Sequence, residues 1–470
     1  MARSSDPFVS VVVLNYNGLR FLERCLGSLL QLDYPSDRYE VVVVDNASSD
    51  GSAEIAERGF PGVRVIRNNR NLGFAGGNNV AMRTAHAEYI ALLNNDTWVT
   101  RQWLARLVEA AEHDHRIGAC TSKLIFLHDR IRLRLETTPF RPSEWGLPDR
   151  RELGVRILDA RVIQGEASRE AEYLDGFYGV EPSVEGPFRW SAAVATIGLP
   201  VLRDGGEVGL QLVAAAPRPN DAGTRLTIRA AGHVFGTWEL GSRPCLIEVP
   251  VPSWLVQQAV PVIQNAGTLI LRNGAGRDRG TFVVGSEAYQ EDDLGQYNRI
   301  EEVFAGCGAA LLLRKAMLDD VGLFDEDFFM YYEDMDLSWR ARRRGWKIVY
   351  VPEATVRHAH AASSVEWSPL FLYHVERNRL LMLAKNAPAA LALREHLRYV
   401  GEVSLNLARC ARSSLLRPSD RAVLAGRVAI QLRVIASLLC QLPRTLAKRQ
   451  QLGKRELVPA SKLLRWMVAA

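Results

Sequence analysis

Cysteine patterns that would indicate a zinc site or a disulfide scaffold are absent from this sequence. The 470 residues include six cysteines, and no two of them form a C-x-x-C pair. Such usage fits free thiols in a reducing compartment. The first seven residues lead directly into a strand pattern, so we expect no signal peptide. What remains is an ordinary globular composition, with 47% hydrophobic and 24% charged residues.

An uninterrupted apolar run of transmembrane length is also missing. The most apolar stretch, residues 422–440, contains Arg427 and Arg433 and so falls short of the roughly 20 residues that span a bilayer. Acidic residues are scarce in this region: residues 385–470 carry sixteen Lys or Arg and only four Asp or Glu. A basic amphipathic tail is typical of a segment lying on an anionic membrane surface. The alternative is that its helices only pack on the preceding domain.

The N-terminal part of the chain alternates strand and helix patterns. Continuous apolar runs at residues 10–15, 41–44, 63–66 and 88–93 are separated by helical segments. Such runs predict a parallel sheet covered on both faces, whose ligands bind beyond the carboxyl ends of the strands. Asn15, Asp45 and Asp96 all fall at those ends.

The pattern changes after residue 130. Short strand-like segments separated by Pro and Gly predict a β-sandwich, and the α/β pattern resumes near residue 262. Three helical segments follow from about residue 367. The sequence therefore predicts an α/β domain, residues 1–130 and 263–366, interrupted by an all-β module at 131–262 and followed by a helical tail at 367–470.

Two acidic clusters carry the chemistry. Asn94-Asn95-Asp96 ends the fourth strand, and its oxygens suit a hard cation such as Mg²⁺ or Mn²⁺. Glu333, Asp334 and Asp336 begin an Arg-rich helix, where one carboxylate suits a general base. The alternatives are a surface turn for the first cluster and a first turn favoured by the helix dipole for the second.

The arginines that follow the second cluster offer it compensating charge. We expect one of them, Arg340, to bind a diphosphate; a solvated helix face is the alternative. His358 and His360 follow the next strand, two residues apart. One of the two could complete a metal site.

A Gly-rich turn, residues 71–79, opens a helix whose backbone N–H groups could face a diphosphate. It is not a G-x-G-x-x-G fingerprint, and a plain turn with an Asn cap is the alternative. Asp45 could accept from a base or a ribose hydroxyl. Its alternative role is a helix cap, which Asp50 or Ser49 could fill equally well.

These pieces, in this order, resemble the inverting family 2 glycosyltransferases of GT-A fold, especially their rhamnosyltransferase-like branch. The resemblance covers about residues 1–128 and 262–385 and is carried by these segments: Val13 to Gly18, Val44 to Ser52, Asn71 to Asn79, Leu92 to Asp96, Gly322 to Glu326, Phe329 to Leu337, Arg340 to Trp346, and His358. Asn94 stands where many members have Asp, which leaves the metal with fewer charges. Parts of residues 151–190 resemble a β-sandwich module that is attached to some glycosyltransferases.

The resemblance implies a role for each candidate residue. Asp334 would be the catalytic base, with Asp336 orienting the acceptor and Glu333 in the same catalytic cluster. Asp96, Asn94 and His358 would hold Mg²⁺ or Mn²⁺. The donor would be bound by Asn15, Asn17, Asp45, Asn71, Gly73, Gly76, Asn78, Asn95 and Arg340.

The implied activity is a metal-dependent hexosyl transfer in one displacement, without a nucleophilic Ser or Cys. The expected donor is a dTDP- or UDP-sugar, with dTDP-rhamnose suggested by the branch, and the acceptor is a lipid-linked or cell-surface polysaccharide. We expect a cytoplasmic protein at the inner face of the membrane and, since the tail has few aromatics, no nucleic-acid partner. The alternative is a catalytically idle protein that binds glycan through the β-module.

Overall fold

The computed structural model describes residues 6–219, 222–284, 287–360, 367–412 and 418–469. The chain divides into two compact units. Unit 1 consists of Met1–Ile125, Ile263–Thr281 and Tyr297–Ala470, and unit 2 of Phe126–Val262 and Phe282–Gln296.

Strands and helices alternate through the first part of the chain. The strands are β1 (Val9–Asn15), β2 (Tyr39–Asp45), β3 (Val63–Arg67), β4 (Tyr89–Asn94), β5 (Thr97–Val99) and β6 (Ile117–Thr137), and the helices are α1 (Leu19–Leu29), α2 (Ser52–Gly59), α3 (Gly73–Thr84) and α4 (Trp103–Glu112). Strand β1 lies parallel between β2 and β4, and β2 is parallel to β3. The carboxyl ends of these strands therefore meet at one edge.

The first strands are apolar on both sides because both faces of the sheet are covered. Val11 and Val13 belong to a core cluster with residues of α1 and α4. Val12 belongs to a second cluster with residues of α3. The predicted α/β architecture is confirmed.

Unit 2 is built from antiparallel strands. Its elements are β7 (Arg156–Gln164), β8 (Ala167–Glu170), β9 (Glu172–Phe177), β10 (Arg189–Val201), β11 (Val208–Ala215), β12 (Thr224–Ala230), β13 (His233–Leu240), β14 (Cys245–Val251) and a short helix α5 (Ser253–Gln257). Strand β11 pairs with β7 and β14, and β12 pairs with β13. Alternate residues of these strands, such as Leu210 and Leu212, enter a core of their own.

The remaining strands are short apart from β22. They are β15 (Val260–Asn265), β16 (Thr268–Leu271), β17 (Gly276–Asp278), β18 (Thr281–Val284), β19 (Glu287–Gln290), β20 (Glu301–Glu302), β21 (Ala310–Arg314), β22 (Lys347–His358) and β23 (Met467–Val468). Strand β21 is antiparallel to β4, and β22 is antiparallel to β5. These pairings bring the end of β22 beside the residues that follow β4.

Five helices complete unit 1: α6 (Lys315–Val321), α7 (Glu333–Arg343), α8 (Pro369–Asn386), α9 (Ala389–Ala411) and α10 (Pro418–Gly453). The predicted C-terminal helical region is confirmed, but α8 shares a fully buried core with α7, through side chains such as Leu380, Met382 and Trp339. The first tail helix is thus part of the folded α/β unit.

Helix α10 extends beyond the apolar stretch 422–440 at both ends. Within the described residues, one helix, Asp420–Gly453, has the length and composition of a membrane span. Arg427 and Arg433 do not disqualify it on these two criteria, so that expectation was wrong. Length and composition alone are weak evidence, because long core helices of soluble proteins meet the same criteria.

Candidate active site

A network of amide and carboxylate side chains lies at the carboxyl ends of β1, β2 and β4. The buried Asn15 side chain donates from Nδ2 to Asp45 Oδ1 (2.9 Å) and to Ser52 Oγ (2.8 Å). Its Oδ1 accepts from Asn95 Nδ2 (2.9 Å). A Cβ atom on Gly18 would come within 2.4 Å of Asn15 Oδ1, so the tight approach needs glycine there. The sheet therefore brings together the three predicted residues Asn15, Asp45 and Asn95.

Asp45 is held by its own chain but keeps acceptor capacity. Its Oδ2 accepts from the backbone N–H of Ser48 (3.1 Å), and each carboxylate oxygen has a second lone pair. The first N–H of helix α2, that of Ser52, instead donates to Asp50 Oδ1 (3.0 Å). Asn17 lies in the adjacent loop, where its Oδ1 accepts from the N–H of Ser49 (2.9 Å).

The first N–H groups of the Gly-rich turn do not face a free diphosphate site as predicted, because they are already bonded within the protein. Asn71 Oδ1 accepts from the N–H of Gly73 (2.8 Å), and Phe329 O accepts from that of Ala75 (3.0 Å). Gly73 has φ +71°, and a Cβ there would lie 2.4 Å from Phe329 O. The turn is therefore glycine-rich because another backbone segment approaches it closely.

The two other donor-site candidates in this helix pack against its own preceding turn. Asn78 donates from Nδ2 to Phe74 O (3.0 Å), one turn earlier, and is buried. A Cβ on Gly76 would lie 3.0 Å from Leu72 Cβ. The expected diphosphate role of this turn does not agree with these contacts, because its leading donors already have acceptors.

Asp96 and His358 meet where β22 runs beside β5. His358 Nε2 lies 3.0 Å from Asp96 Oδ1, and its Nδ1 lies 2.8 Å from Gln264 Oε1. Since Gln264 presents an amide oxygen, Nδ1 carries the hydrogen. In that tautomer the Nε2 lone pair lies beside a carboxylate oxygen, so the two atoms can serve together as ligands of a metal ion.

This pair fits a divalent cation. Two ligands at right angles around an ion, each about 2.1 Å away, are about 3 Å apart, which is the separation of these two atoms. Among the described residues, no three His, Cys, Asp or Glu side chains converge as a metal site. Asn94 ends β4, and its backbone N–H donates to Ala309 O (2.9 Å). Any further ligands would be amide, solvent or substrate oxygens.

Asp334 lies in the first turn of α7 and accepts two backbone hydrogen bonds. Its Oδ2 accepts from the N–H of Gly308 (3.0 Å) and its Oδ1 from that of Met335 (2.7 Å). Burial raises the pKa of Asp334, and these hydrogen bonds offset that effect only in part. A fixed carboxylate of raised pKa is well suited to accept a proton.

Glu333 explains how the acidic cluster tolerates its charges. Its side chain is buried, and Oε2 has no hydrogen-bond partner among the described residues. Burial and then the charge of Asp334 raise the pKa of Glu333 well above its ordinary value. This shift favours the neutral form of Glu333, which would lessen the repulsion among the three acids of the cluster.

Asp336 and Arg340 face the interior instead of the site. Asp336 is fully buried and pairs with Arg340 Nε and Lys385 Nζ, each at 2.8 Å. Burial raises its pKa, but the charges of Lys385 and Arg340 outweigh burial and lower it. Arg340 also donates to the carbonyls of Val321 (2.6 Å) and Leu323 (2.8 Å). The expected roles in orienting an acceptor and in binding diphosphate do not agree with this geometry.

Sequence reasoning missed three residues that position the site. Gln264 orients His358, Gly308 supplies an N–H to Asp334, and Lys385 neutralises Asp336. Gln264 precedes a Gly-containing turn and Lys385 lies in the last turn of α8, so neither carries a local signal. His360 stands next to His358 with its ring edge-on at 5.7 Å.

Two family models match the chain. The model described as glycosyl transferase family 2 matches residues 10–160, and the one described as glycosyltransferase like family 2 matches residues 286–380. The first match includes Asn15, Asp45 and Asp96, and the second includes Asp334 and His358.

Curated relatives match shorter segments. Glycosyltransferase AglE of Haloferax volcanii is 32% identical over 106 residues, 22% of this chain and 35% of the relative. N-acetylglucosaminyl-diphospho-decaprenol L-rhamnosyltransferase of Mycobacterium tuberculosis is 38% identical over 122 residues, 24% of this chain and 37% of the relative. TarS, the poly(ribitol-phosphate) beta-N-acetylglucosaminyltransferase of Staphylococcus aureus, is 30% identical over 109 residues. These residues are 23% of this chain and 19% of the relative. The chain thus spans less than two-fifths of the length of each.

Solved structures show a distant likeness. Mannosyltransferase PcManGT from Pyrobaculum calidifontis, in complex with GDP-Man and Mn²⁺, has a TM-score of 0.37 and 14% identity, covering 98% of this chain and 79% of that one. S. aureus TarS 1–349 has a TM-score of 0.38 and 14% identity, covering 95% and 88%. The sequence matches are the more specific finding: residues 10–160 and 286–380 match the two glycosyltransferase family 2 models.

Proposed function

We propose that this protein is an inverting glycosyltransferase that moves a sugar from a nucleoside-diphosphate donor to an acceptor hydroxyl. The observation that carries the proposal is Asp334, a carboxylate of raised pKa fixed by the N–H groups of Gly308 and Met335. It lies within a segment of glycosyltransferase family 2 sequence.

Asp334 acts as the general base. It removes the proton from the acceptor hydroxyl while that oxygen attacks the anomeric carbon from the face opposite the departing diphosphate. One displacement inverts the anomeric carbon, and the proton ends on the Asp334 carboxyl group. We assign Glu333 the neutral form that burial and the charge of Asp334 favour, so that the pair carries a single negative charge.

The donor nucleotide lies at the carboxyl ends of β1, β2 and β4. Asp45, with its spare lone pairs, accepts from the base or the ribose, while Asn15 and Asn95 fix its orientation. Asn17 supports the neighbouring loop. Asn71, Gly73, Gly76 and Asn78 shape the wall of this site from α3, and no diphosphate contact is assigned to Arg340.

Asp96 and His358 would hold a Mg²⁺ or Mn²⁺ ion, and Asn94 in the same turn would offer a further oxygen. When bound, the ion supplies positive charge against the diphosphate that leaves. Gln264 keeps the His358 Nε2 lone pair directed at Asp96 by accepting from Nδ1. The protein thus presents one anionic and one neutral ligand in a fixed geometry.

The donor sugar and acceptor are proposed from the residue resemblance and one relative. That relative is named a rhamnosyltransferase acting on a decaprenol-linked diphospho-sugar. We assign dTDP-rhamnose as the first donor to test, a UDP-sugar as the second, and a lipid-linked or polysaccharide precursor of the cell surface as acceptor. The idle glycan-binding alternative is not favoured, since Asp334 and the Asp96–His358 pair are intact.

A membrane-facing surface on α9 supports a lipid-linked acceptor. Four exposed apolar side chains repeat at helical spacing along this helix: Leu393, Leu397, Val400 and Leu407. Exposed arginines flank them: Arg394, Arg398, Arg409 and Arg412. The opposite face of α9, including Tyr399 and Val403, is buried. An apolar stripe edged by cations matches the boundary between acyl chains and anionic headgroups.

Helix α10 has a similar exposed stripe, formed by Leu432, Leu439 and Leu446. We propose that it also lies on the surface and does not cross the bilayer. Its Lys448 pairs with Asp325 (2.5 Å) and Asp327 (2.6 Å), and Gln431 and Val434 are fully buried. A spanning α10 would have to break these contacts. The proposed location is the cytoplasmic face of the membrane.

The proposal is tested by incubating the protein with a panel of nucleotide sugars, with and without Mg²⁺ or Mn²⁺. Transfer or slow hydrolysis of one donor supports it. In Asp334→Asn, turnover should be lost while nucleotide binding is retained. Unchanged turnover in this variant would refute the base assignment.

A further inference from the structure

The segment just before the proposed base has an unusual backbone. Phe329, Tyr331 and Tyr332 have φ of +64°, +67° and +70°, in a region that non-glycine residues seldom occupy. Phe329 has ψ −63°, and the N–H of Met330 donates to Phe328 O (2.7 Å), which makes a γ-turn of the rare, strained form. Such conformations persist only where surrounding contacts impose them.

Two adjacent residues of α8 impose this conformation. Asn378 is fully buried, and its Nδ2 donates to the carbonyls of Phe328 (2.9 Å), Met330 (2.7 Å) and Tyr331 (2.8 Å). Arg377 donates to Asn378 Oδ1 through Nε (2.8 Å), which fixes the orientation of the amide. Its Nη2 also donates to Phe328 O (2.9 Å).

Aromatic contacts from the same helix face add to the restraint. The His374 ring stacks on Phe329, with centroids 5.4 Å apart, and Phe371 meets Tyr331 edge-on at 5.1 Å. Positions 371, 374 and 378 repeat at i, i+3 and i+7, so they lie on one face of α8. All three side chains contact the strained segment.

The strained segment joins the two parts of the proposed site. At one end, Phe329 O accepts from the N–H of Ala75 in the first turn of α3. At the other end, Tyr332 caps α7 immediately before Glu333 and Asp334. A shift of this segment would therefore move the base relative to the donor wall.

We infer that Arg377 and Asn378 are positioning residues that hold Asp334 in place through the strained segment 328–332. This rests on the proposed function, since it takes Asp334 as the base. The donor-binding residues at β1, β2 and β4 are not held by these contacts. Loss of the Asn378 hydrogen bonds should therefore reduce turnover and leave nucleotide affinity unchanged.

The test compares Asn378→Ala and Asn378→Asp with Asn406→Ala. Asn406, in α9, is another largely buried asparagine. Its side chain donates to Gln431 in α10 (3.1 Å). We expect kcat to fall about ten- to a hundredfold in both Asn378 variants, the range that a displacement of about 1 Å produces. The Kd for UDP and dTDP, measured by calorimetry, should stay within about twofold. Asn406→Ala should retain kcat even where its Tm falls.

Amide hydrogen exchange gives a readout that does not depend on activity. The N–H groups of Ala75 and Gly308, which donate to Phe329 O and Asp334 Oδ2, should exchange faster in Asn378→Ala than in Asn406→Ala. Equal kcat or equal exchange in the two variants would overturn the inference. If Asp334→Asn also keeps full turnover, the proposed function fails; if only Asn378→Ala does, the positioning role alone fails.

Discussion

At the scale of single residues, burial decides the chemistry of the acidic cluster. Asp334, Glu333 and Asp336 lie within four positions of the sequence, yet their pKa values shift in different directions. Asp334 and Glu333 are raised by burial, whereas Asp336 is lowered because Lys385 and Arg340 outweigh burial. One stretch of chain thus supplies the proposed base, Asp334, an acid whose neutral form is favoured, Glu333, and a buried structural ion pair at Asp336.

The pH dependence of catalysis follows from Asp334. The base must be unprotonated, so kcat/KM should fall as the pH drops through its pKa. Because burial raises that pKa above its ordinary value of 3.8, the fall should begin at higher pH than for an exposed aspartate. A pH–rate profile measures this. A rate that stays constant down to pH 4 would contradict the assignment.

Glu333 should make folding stability depend on pH with a defined sign. Its folded pKa is raised, so its contribution is fully present below its unfolded pKa and is lost as the pH rises through the folded pKa. Glu333→Gln removes this dependence. The Tm difference between the variant and the wild type should therefore shift in favour of the variant from pH 4 to pH 8. A difference that is independent of pH would show that Glu333 is charged in the folded protein.

The sequence predicted some of these residues and not others, for a physical reason. Asn15, Asp45 and Asp96 could be predicted to lie at one edge of the sheet because they end or follow buried strands, and parallel topology brings strand ends together. Arg340 was misassigned, because the sequence of an Arg-rich helix does not reveal which arginine is buried. The partners Gln264, Lys385 and Asn378 are distant in sequence, and only the tertiary fold brings them near the cluster.

At the scale of secondary-structure elements, α3 and the turn before α7 depend on each other. Gly73→Ala would place a Cβ 2.4 Å from Phe329 O at a φ of +71°. We expect a loss of about 1–3 kcal/mol in the free energy of unfolding and lower turnover. Gly27→Ala is the matched control, since the described structure leaves open space beside Gly27 in α1. Chemical denaturation of both variants measures the difference. Equal stability would mean that the two segments can separate without cost.

Element patterns were predicted more reliably than their packing partners. Continuous apolar runs identified the parallel strands, since the spacing of apolar residues along the chain indicates both the type of element and its burial. Helix α8 was assigned to the tail because its sequence is helical and basic. Its buried residues, such as Leu380 and Leu383, show that it packs within the α/β unit.

At the scale of the whole molecule, basic residues and exposed leucines are concentrated in the C-terminal helices. Leu397→Glu combined with Leu432→Glu should reduce co-flotation with anionic phosphatidylglycerol vesicles, because each change places a charge in an exposed apolar stripe. Leu246→Glu, at an exposed leucine of unit 2, is the control and should float like the wild type. Equal flotation of all variants would contradict the membrane-facing surface. A change in oligomeric state would indicate instead that the leucines join copies of the chain.

Asp334 is proposed to serve as the base of an inverting sugar transfer, and a transfer assay that reads product stereochemistry examines this proposal. The wild-type protein, with dTDP-rhamnose or a UDP-sugar, a lipid-linked acceptor and Mg²⁺ or Mn²⁺, should give a product whose anomeric configuration, read by NMR, is opposite to that of the donor. Asp334→Asn should bind nucleotide but transfer at least about a hundredfold more slowly. Retained configuration, or undiminished transfer by Asp334→Asn, would contradict the account.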